Sequence, residues 1–138
     1  MESEKKIQLL CVRLGKFWLG IDVSRTVEIL RAEPSAKEAI SFRGSDIPLV
    51  NLDDILSIDT SSHRGPRRVV VSEAGEKLVG LIIDSAEEII RTDAANMRRA
   101  TGAKVELNRD VLDGILELDD REIYVISPEK ICRLARVK

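Results

Sequence analysis

The chain has 138 residues, of which 43% are hydrophobic and 33% charged, a composition typical of a globular domain and not of a disordered segment. Its net charge of −2 and its aromatic content of 3% give neither the basic surface nor the stacking platforms that nucleic-acid binding needs. No apolar run approaches the about 20 residues of a membrane-spanning helix, so insertion into a bilayer is not expected.

Cysteine usage indicates the compartment. Cys11 and Cys132 both lie in apolar patterns and lack the spacing of a metal site, so we expect two small buried side chains. The charged start, residues 1–6, leads into a short apolar run and does not have the form of a signal peptide. Both features favour a reducing cytoplasm.

The chain opens with a predicted hairpin. Apolar runs over residues 7–14 and 17–21 flank Gly15, the pattern of two strands joined by a tight turn.

A helix is predicted next. Val23, Val27 and Leu30 recur at helical spacing, with Asp22 or Ser24 available as the N-cap.

A loop, a strand and a helical turn follow. Residues 33–37 contain a proline and a serine and predict the loop. Residues 47–50 predict a short strand, and Pro48 within it lacks a backbone donor, which favours a sheet edge or a bulge. Asn51 can cap a helical turn that runs to Leu56.

The middle of the chain predicts a loop and three strands. Residues 57–66 are polar and form the best candidate for a loop between two lobes. Strands are predicted over 67–72 and 77–84, joined by a turn at 73–76, and a further strand over 86–91.

The last third predicts another hairpin. Residues 94–108 have no clear pattern, whereas 112–118 and 121–126 flank the turn-forming pair 119–120. Many short strands with only brief helices indicate an all-β barrel or sandwich.

A C-terminal helix is predicted from Ser127 and Pro128, a hydroxyl at the N-cap and a proline at the first helical position. We expect its Ile131 and Leu134 to pack together across the first lobe, a pair whose burial contributes about 3–6 kcal/mol.

A search for catalytic chemistry finds little. His63 is the one histidine and lies in the polar loop, so neither a serine nor a cysteine triad can be built without it. The acidic pairs at 53–54, 87–88 and 119–120 are adjacent in sequence, and neighbours on a strand point to opposite faces. No catalytic residue, cofactor or metal ligand is therefore expected.

Arg43 allows two interpretations. It precedes Gly44 and the apolar strand at 47–50. It is either a solvated loop residue or an arginine held near a groove, where its planar guanidinium could orient a partner.

Four blocks in order resemble segments of the CheW family of chemotaxis coupling proteins, and together they cover most of the chain. The blocks are VRLGKFWLGI (12–21) with VEILR (27–31), FRG (42–44) with IPLVNL (47–52), VGLIIDS (79–85) with EI (88–89), and GILELDDR (114–121). The resemblance implies an all-β fold of two SH3-like five-stranded barrels that share a hydrophobic core. It implies one domain over 1–138, with a first lobe at about 15–62 plus the C-terminal helix and a second lobe at about 66–126.

The same resemblance implies a non-catalytic adaptor recruited from the cytoplasm to receptor arrays. Its partners would be the cytoplasmic tip of chemoreceptors, the regulatory domain of a CheA-type histidine kinase, and other CheW-like proteins. A receptor helical hairpin would dock in the groove between the lobes, an apolar mode of helix recognition. The residues implied for receptor binding are Arg43 and Gly44 on one lip and Val79, Leu81 and Ile83 on the other.

Kinase binding would involve the first lobe, with Phe42, Asp53, Val27 and Leu30 as the implied residues. This lobe departs from the family pattern in three respects, one of which is that Ser41 and Phe42 replace the usual Asn-Leu before Arg43 and Gly44. The connection at 32–42 is short and leaves little length for an extra strand and its turn. Asp53 stands where the family often has an arginine, and a reversed charge at an interface rim can oppose binding.

These departures predict that kinase binding is weak or absent, and they keep an alternative open, an accessory protein that binds receptors but not the kinase. A free-standing CheA-type regulatory domain is a related alternative, which the absence of kinase motifs disfavours. A small nucleic-acid-binding β-barrel is an alternative of another class, and salt-dependent association with DNA or RNA would support it. An enzyme would be supported by activity lost on mutation of an acidic pair.

Overall fold

The computed structural model describes residues 5–33, 38–99 and 107–135. These residues form eleven strands and two short α-helices. The strands are β1 (Lys6–Leu14), β2 (Phe17–Asp22), β3 (Thr26–Arg31), β4 (Ala39–Phe42), β5 (Ser45–Asn51), β6 (Arg68–Ala74), β7 (Lys77–Ile83), β8 (Ser85–Asp93), β9 (Met97–Arg98), β10 (Leu112–Glu117) and β11 (Glu122–Ile126), and the helices are α1 (Leu52–Leu56) and α2 (Pro128–Ala135).

Two sheets contain these strands. In the described part of the chain, sheet I has the order β8-β1-β2-β11-β10-β9 and sheet II the order β3-β6-β7-β5-β4. Neighbouring strands are antiparallel except at one place in each sheet, where β2 runs parallel to β11 and β7 runs parallel to β5.

The two halves of the chain exchange strands. After the β1–β2 hairpin, the chain passes to sheet II, where β3 pairs with β6. After the β6–β7 hairpin, it returns to sheet I, where β8 pairs with β1. The sheets therefore cut across the predicted lobe boundaries, 15–62 and 66–126, because each sheet takes strands from both sides of the loop at 57–67.

Alternation along the strands divides the core into three clusters. Leu9 and Cys11 of β1 pack in a cluster built from sheet I alone, while Leu10, Val12 and Leu14 of the same strand pack in the largest cluster, which draws on both sheets and both helices. A third cluster belongs to sheet II. Each sheet thus has a hydrophobic cluster of its own and shares a third with the other sheet, which confirms the predicted all-β fold with a common core.

The predicted helix at 23–30 is wrong. Val23–Arg25 form a single 3₁₀ turn, and Thr26–Arg31 form strand β3. Asp22 does act as a cap, since its carboxylate accepts from the backbone N–H of Ser24 at 2.9 Å. The β-branched residues of this segment suit a strand, and pairing with β6 outweighs the helical spacing.

Strand β5 is not an edge, contrary to the expectation from Pro48. It lies between β4 and β7, and β4 forms the edge. Pro48 is the point at which β5 changes partners, because β4 pairs as far as Pro48 and β7 pairs from Leu49 onward. The N–H of Leu49 donates to Glu38 on the β4 side, so the proline nitrogen faces the other side, beyond the end of the β7 ladder.

The segment between β3 and the Arg43–Gly44 turn does contain a strand, β4. Ala39–Phe42 pair with Ser45–Pro48, although the sequence left little length for such a strand. The predicted loop at 33–37 falls, except for Glu33, outside the described residues.

Helix α2 begins as predicted, since the Oγ of Ser127 accepts from the N–H of Lys130 at 3.2 Å. Ile131 is fully buried in the shared cluster, but Leu134 is 43% exposed, so the predicted pair does not bury together. Cys132 and Ala135 pack against the shared cluster instead. At about 100° per residue, the inward face is centred between Ile131 and Ala135, and Leu134 lies to one side of it.

Candidate functional site

Arg43 and Gly44 form the two-residue turn between β4 and β5. Both have positive φ angles, 52° and 82°, the combination that a tight hairpin turn requires. The guanidinium of Arg43 lies 4.7 Å from the ring centroid of Phe42, and its Nη2 lies 3.4 Å from Oε1 of Glu28. Its side chain nevertheless remains 68% exposed.

The Arg43–Glu28 pair connects opposite edges of sheet II. Glu28 belongs to β3 and Arg43 follows β4, and these two strands are the outermost of the sheet. The ion pair therefore bridges the two edge strands of sheet II at the protein surface. Arg43 thus has an ion-pair partner and an aromatic neighbour, while most of its side chain is exposed to solvent.

The predicted second lip is not at the surface. Val79, Leu81 and Ile83 are each at most 1% exposed and belong to the shared cluster. They lie on β7, which is paired on both sides, and alternation directs their side chains into the core. These three residues support the sheet from beneath and do not line an open groove.

Two other isoleucines are exposed, one on an edge strand of each sheet. In residues 5–33, 38–99 and 107–135, the exposed large hydrophobic side chains are Ile29 at 40%, Ile89 at 58% and Leu134 at 43%. Ile29 pairs with Val70 and Ile89 with Leu10, and both partners belong to the shared cluster. Paired residues point to the same face of a sheet, so both isoleucines lie on faces turned toward the shared core.

These two side chains, here called the rim isoleucines, sit on the edge strands β3 and β8. An edge position explains why they are exposed although their cross-strand partners are buried. Sequence reasoning missed both, because an isoleucine in an apolar strand does not reveal whether that strand is an edge. The one available signal was that Ile29 and Ile89 each follow a glutamate within a family block.

A second arginine is fixed beside Ile89. Arg121, from the β10–β11 turn, forms an ion pair with Glu88 and lies 4.3 Å from the ring centroid of Trp18. Arg13 also lies over that ring, at 4.8 Å. Burial alone would lower the pKa of Arg121, but the hydrogen bond and charge of Glu88 outweigh it and raise that pKa, so the guanidinium stays charged.

The cysteine thiols stay protonated at neutral pH. Desolvation raises the pKa of Cys11 to about 11, with Arg121 opposing the shift and Glu88 adding to it. Desolvation also raises the pKa of Cys132, with Lys77 opposing it. A protonated thiol is neither a good nucleophile nor a metal ligand.

The residues implied for kinase binding divide into two groups. Phe42 is buried, and Val27 and Leu30 are half-buried, and all three pack in the cluster of sheet II. Asp53 lies apart from them at the start of α1, where it forms an ion pair with Arg67 at 2.7 Å and accepts from Oγ1 of Thr60 at 2.7 Å. The structure therefore does not bring these four residues together.

The Asp53–Arg67 pair extends into a network that joins the two sheets. Nε of Arg67 also donates to Asp84 at 3.1 Å, and Asp84 accepts from the backbone N–H of Gly15 at 2.8 Å. The network thus connects α1, the β7–β8 junction and the β1–β2 turn. The side chain of Asp53 is only 17% exposed, and it shares the positive charge of Arg67 with Asp84.

In the described ranges, no three His, Cys, Asp or Glu side chains are grouped so as to hold a metal ion. His63 lies in the loop, with Nε2 at 3.5 Å from the carbonyl oxygen of Pro66. No helix formed by the described residues has the length and hydropathy to cross a bilayer.

Comparison with known proteins gives consistent matches. The family model of the CheW-like domain matches residues 8–136. The chemotaxis protein CheW of Klebsiella aerogenes is 23% identical over 133 residues, which cover 90% of this chain and 80% of that protein. The probable chemotaxis protein CheW of Rhizobium etli is 25% identical over 92 residues, which cover 67% of this chain and 59% of that protein.

A solved structure is similar over almost the whole chain. The crystal structure of the scaffolding protein TtCheW from Thermoanaerobacter tengcongensis matches with a TM-score of 0.79 and 21% sequence identity. The match covers 95% of this chain and 89% of that one. At this sequence identity, the match is evidence of a shared fold only.

Proposed function

This chain belongs to the CheW-like domain family, and from that membership we propose that it couples chemoreceptor signalling tips to a CheA-type histidine kinase. The protein is a non-catalytic scaffold of chemotaxis signalling. The coupling role would recruit it from the cytoplasm to receptor arrays, where other CheW-like proteins could be neighbours. The protein would then act through the surfaces that contact these partners.

The exposure of the rim isoleucines is the observation that carries the receptor half of the proposal. Ile29 and Ile89 are apolar, exposed, and placed on opposite sheets at the border of the shared core. A receptor tip is a helical hairpin, and an amphipathic helix docks by laying its apolar face on such residues. We assign the receptor contact to this border between the lobes.

Arg43 and Gly44 would contribute at one side of that contact. Arg43 is held by Glu28, the neighbour of Ile29, and yet most of its side chain is free to meet a partner. Val79, Leu81 and Ile83 would act from beneath, by keeping the sheet that carries the contact in shape.

Kinase docking is proposed for the lobe of sheet II. Two observations support docking of the kinase at this lobe, because β4 forms and the carboxylate of Asp53 is paired with Arg67. Phe42, Val27 and Leu30 would act by filling the interior of the docking lobe. The accessory protein that binds receptors without the kinase remains the alternative.

Calorimetric titration with the regulatory domain of the cognate kinase separates these two readings. We expect a dissociation constant in the micromolar range or tighter, about −8 kcal/mol or more favourable. Heat of binding with receptor fragment but none with the kinase domain would establish the accessory role instead.

Substitution of a rim isoleucine tests the receptor site. Ile89→Asp is expected to raise the Kd for a purified receptor-tip fragment about 30-fold, or about 2 kcal/mol, because a charge would be buried in the contact. The measurement is calorimetric titration, with thermal unfolding as a check that the exposed substitution leaves stability nearly unchanged.

Leu134→Asp is the matched control. Leu134 is similarly exposed, at 43%, but lies on helix α2 and not on an edge strand of either sheet. Equal losses for both variants, or no loss for Ile89→Asp, would contradict the proposed receptor site.

A further inference from the structure

The side chain of Arg121 reaches across two strands of sheet I to an ion-pair partner on its edge. It lies beside β11, whereas its ion-pair partner Glu88 lies on β8, and the sheet order places β2 and β1 between those two strands. The guanidinium crosses the intervening strands over Trp18 of β2. The side chain is only 17% exposed, so it is enclosed along this path.

The ladder that holds β8 is irregular where Arg121 meets it. Cys11 of β1 pairs with Glu88, but the next residue, Val12, pairs with Ala86. Glu87 is thus left without a cross-strand partner, which is a β-bulge. A bulge interrupts the ladder and redirects neighbouring side chains. Among the residues that the structure describes, β8 is an edge strand, so none of their strands pairs with its other side to compensate for the interruption.

Ile89 follows this bulge directly and is the more exposed of the rim isoleucines. Glu88 and Ile89 point to opposite faces, so a constraint on Glu88 fixes the backbone that presents Ile89. We propose that Arg121 is a positioning residue, which holds the bulged edge through Glu88 and thereby orients Ile89 for the receptor contact. This inference rests on the proposed function.

The same contacts make Trp18 a reporter of the site. It is the one tryptophan of the chain, and the guanidinium of Arg121 lies over its ring. Docking on Ile89 that shifts the β8 edge also shifts Glu88 and Arg121, and so changes the surroundings of the indole.

The test uses the full chain and a receptor-tip fragment that lacks tryptophan. Saturating fragment is expected to change Trp18 emission, with the same Kd as calorimetry gives. Arg121→Gln is expected to raise that Kd about fivefold to tenfold. The control is Arg98→Gln, because Arg98 pairs with Glu122 and Glu117 on the far side of sheet I and should leave the Kd unchanged.

Two further variants separate positioning from a general structural role. If Arg121 acts through Ile89, Arg121→Gln should have almost no additional effect on Kd in an Ile89→Ala background. The exchange Glu88→Arg with Arg121→Glu should restore the Kd to within about twofold, since the ion pair re-forms with its signs reversed.

The outcomes are distinguishable. Additive effects of Arg121→Gln and Ile89→Ala, an unchanged Kd for Arg121→Gln, or no change in Trp18 emission on binding would overturn the positioning role and leave the receptor site standing. Absence of any heat of binding for the unmodified protein would overturn the proposed function itself.

Discussion

Replacement of Arg67 by alanine is expected to lower the free energy of unfolding by about 3–5 kcal/mol, the cost of breaking a largely buried ion pair. Arg67 bridges Asp53 and Asp84, whose side chains are 17% and 6% exposed. Without it, Asp84 keeps the N–H of Gly15 as a partner, but two enclosed carboxylates lose their counter-charge. Urea denaturation followed by circular dichroism measures the loss.

Arg133→Ala is the control for this prediction. Arg133 lies 3.9 Å from Glu129 along helix α2, with a side chain that is 72% exposed, and such pairs contribute about 0.3–0.5 kcal/mol. A loss below about 1 kcal/mol for Arg67→Ala would show that the network contributes no more than a surface ion pair.

The second large effect is expected at Ile131. Ile131→Ala should lower the free energy of unfolding by about 2–5 kcal/mol, because it leaves a cavity in the cluster that both sheets share. Leu134→Ala, on the same helix, should change it by less than about 0.5 kcal/mol, since that side chain is exposed. Thermal unfolding of both variants makes the comparison, and similar losses would mean that α2 packs on a different face.

The features that were predicted correctly from the sequence are mostly those that depend on a few neighbouring residues. The cap at Asn51, the start of α2 at Ser127 and the turn at Gly15 depend on a few neighbouring residues, and all three appear as expected. Strand β3 was not predicted, because the spacing of Val23, Val27 and Leu30 fits a helix as well as a bulged strand. Pairing with β6, which lies some forty residues further along the chain, favours the strand over the helix.

The candidate site was harder to predict than the fold. Both faces of β7 are covered, so Leu78 and Ile82 are as apolar as Val79 and Leu81. The sequence therefore does not tell which set faces the shared cluster and which faces the cluster of sheet II. Exposure of Ile29 and Ile89 depends on β3 and β8 being edges, which follows from the order of strands in the sheets. The strand order results from pairing between strands that are distant in the sequence, so no single segment predicts it.

The exchange of strands between the sheets has a consequence for how the chain acquires its structure. When the first half leaves the ribosome, the β1–β2 hairpin lacks β8 and β11, and β3 lacks β6. Neither barrel can be completed until the second half arrives, so non-local pairing sets the pace of folding. Open sheet edges persist during that interval and are vulnerable to aggregation. Once formed, the interlocked halves should unfold together, as a single cooperative unit.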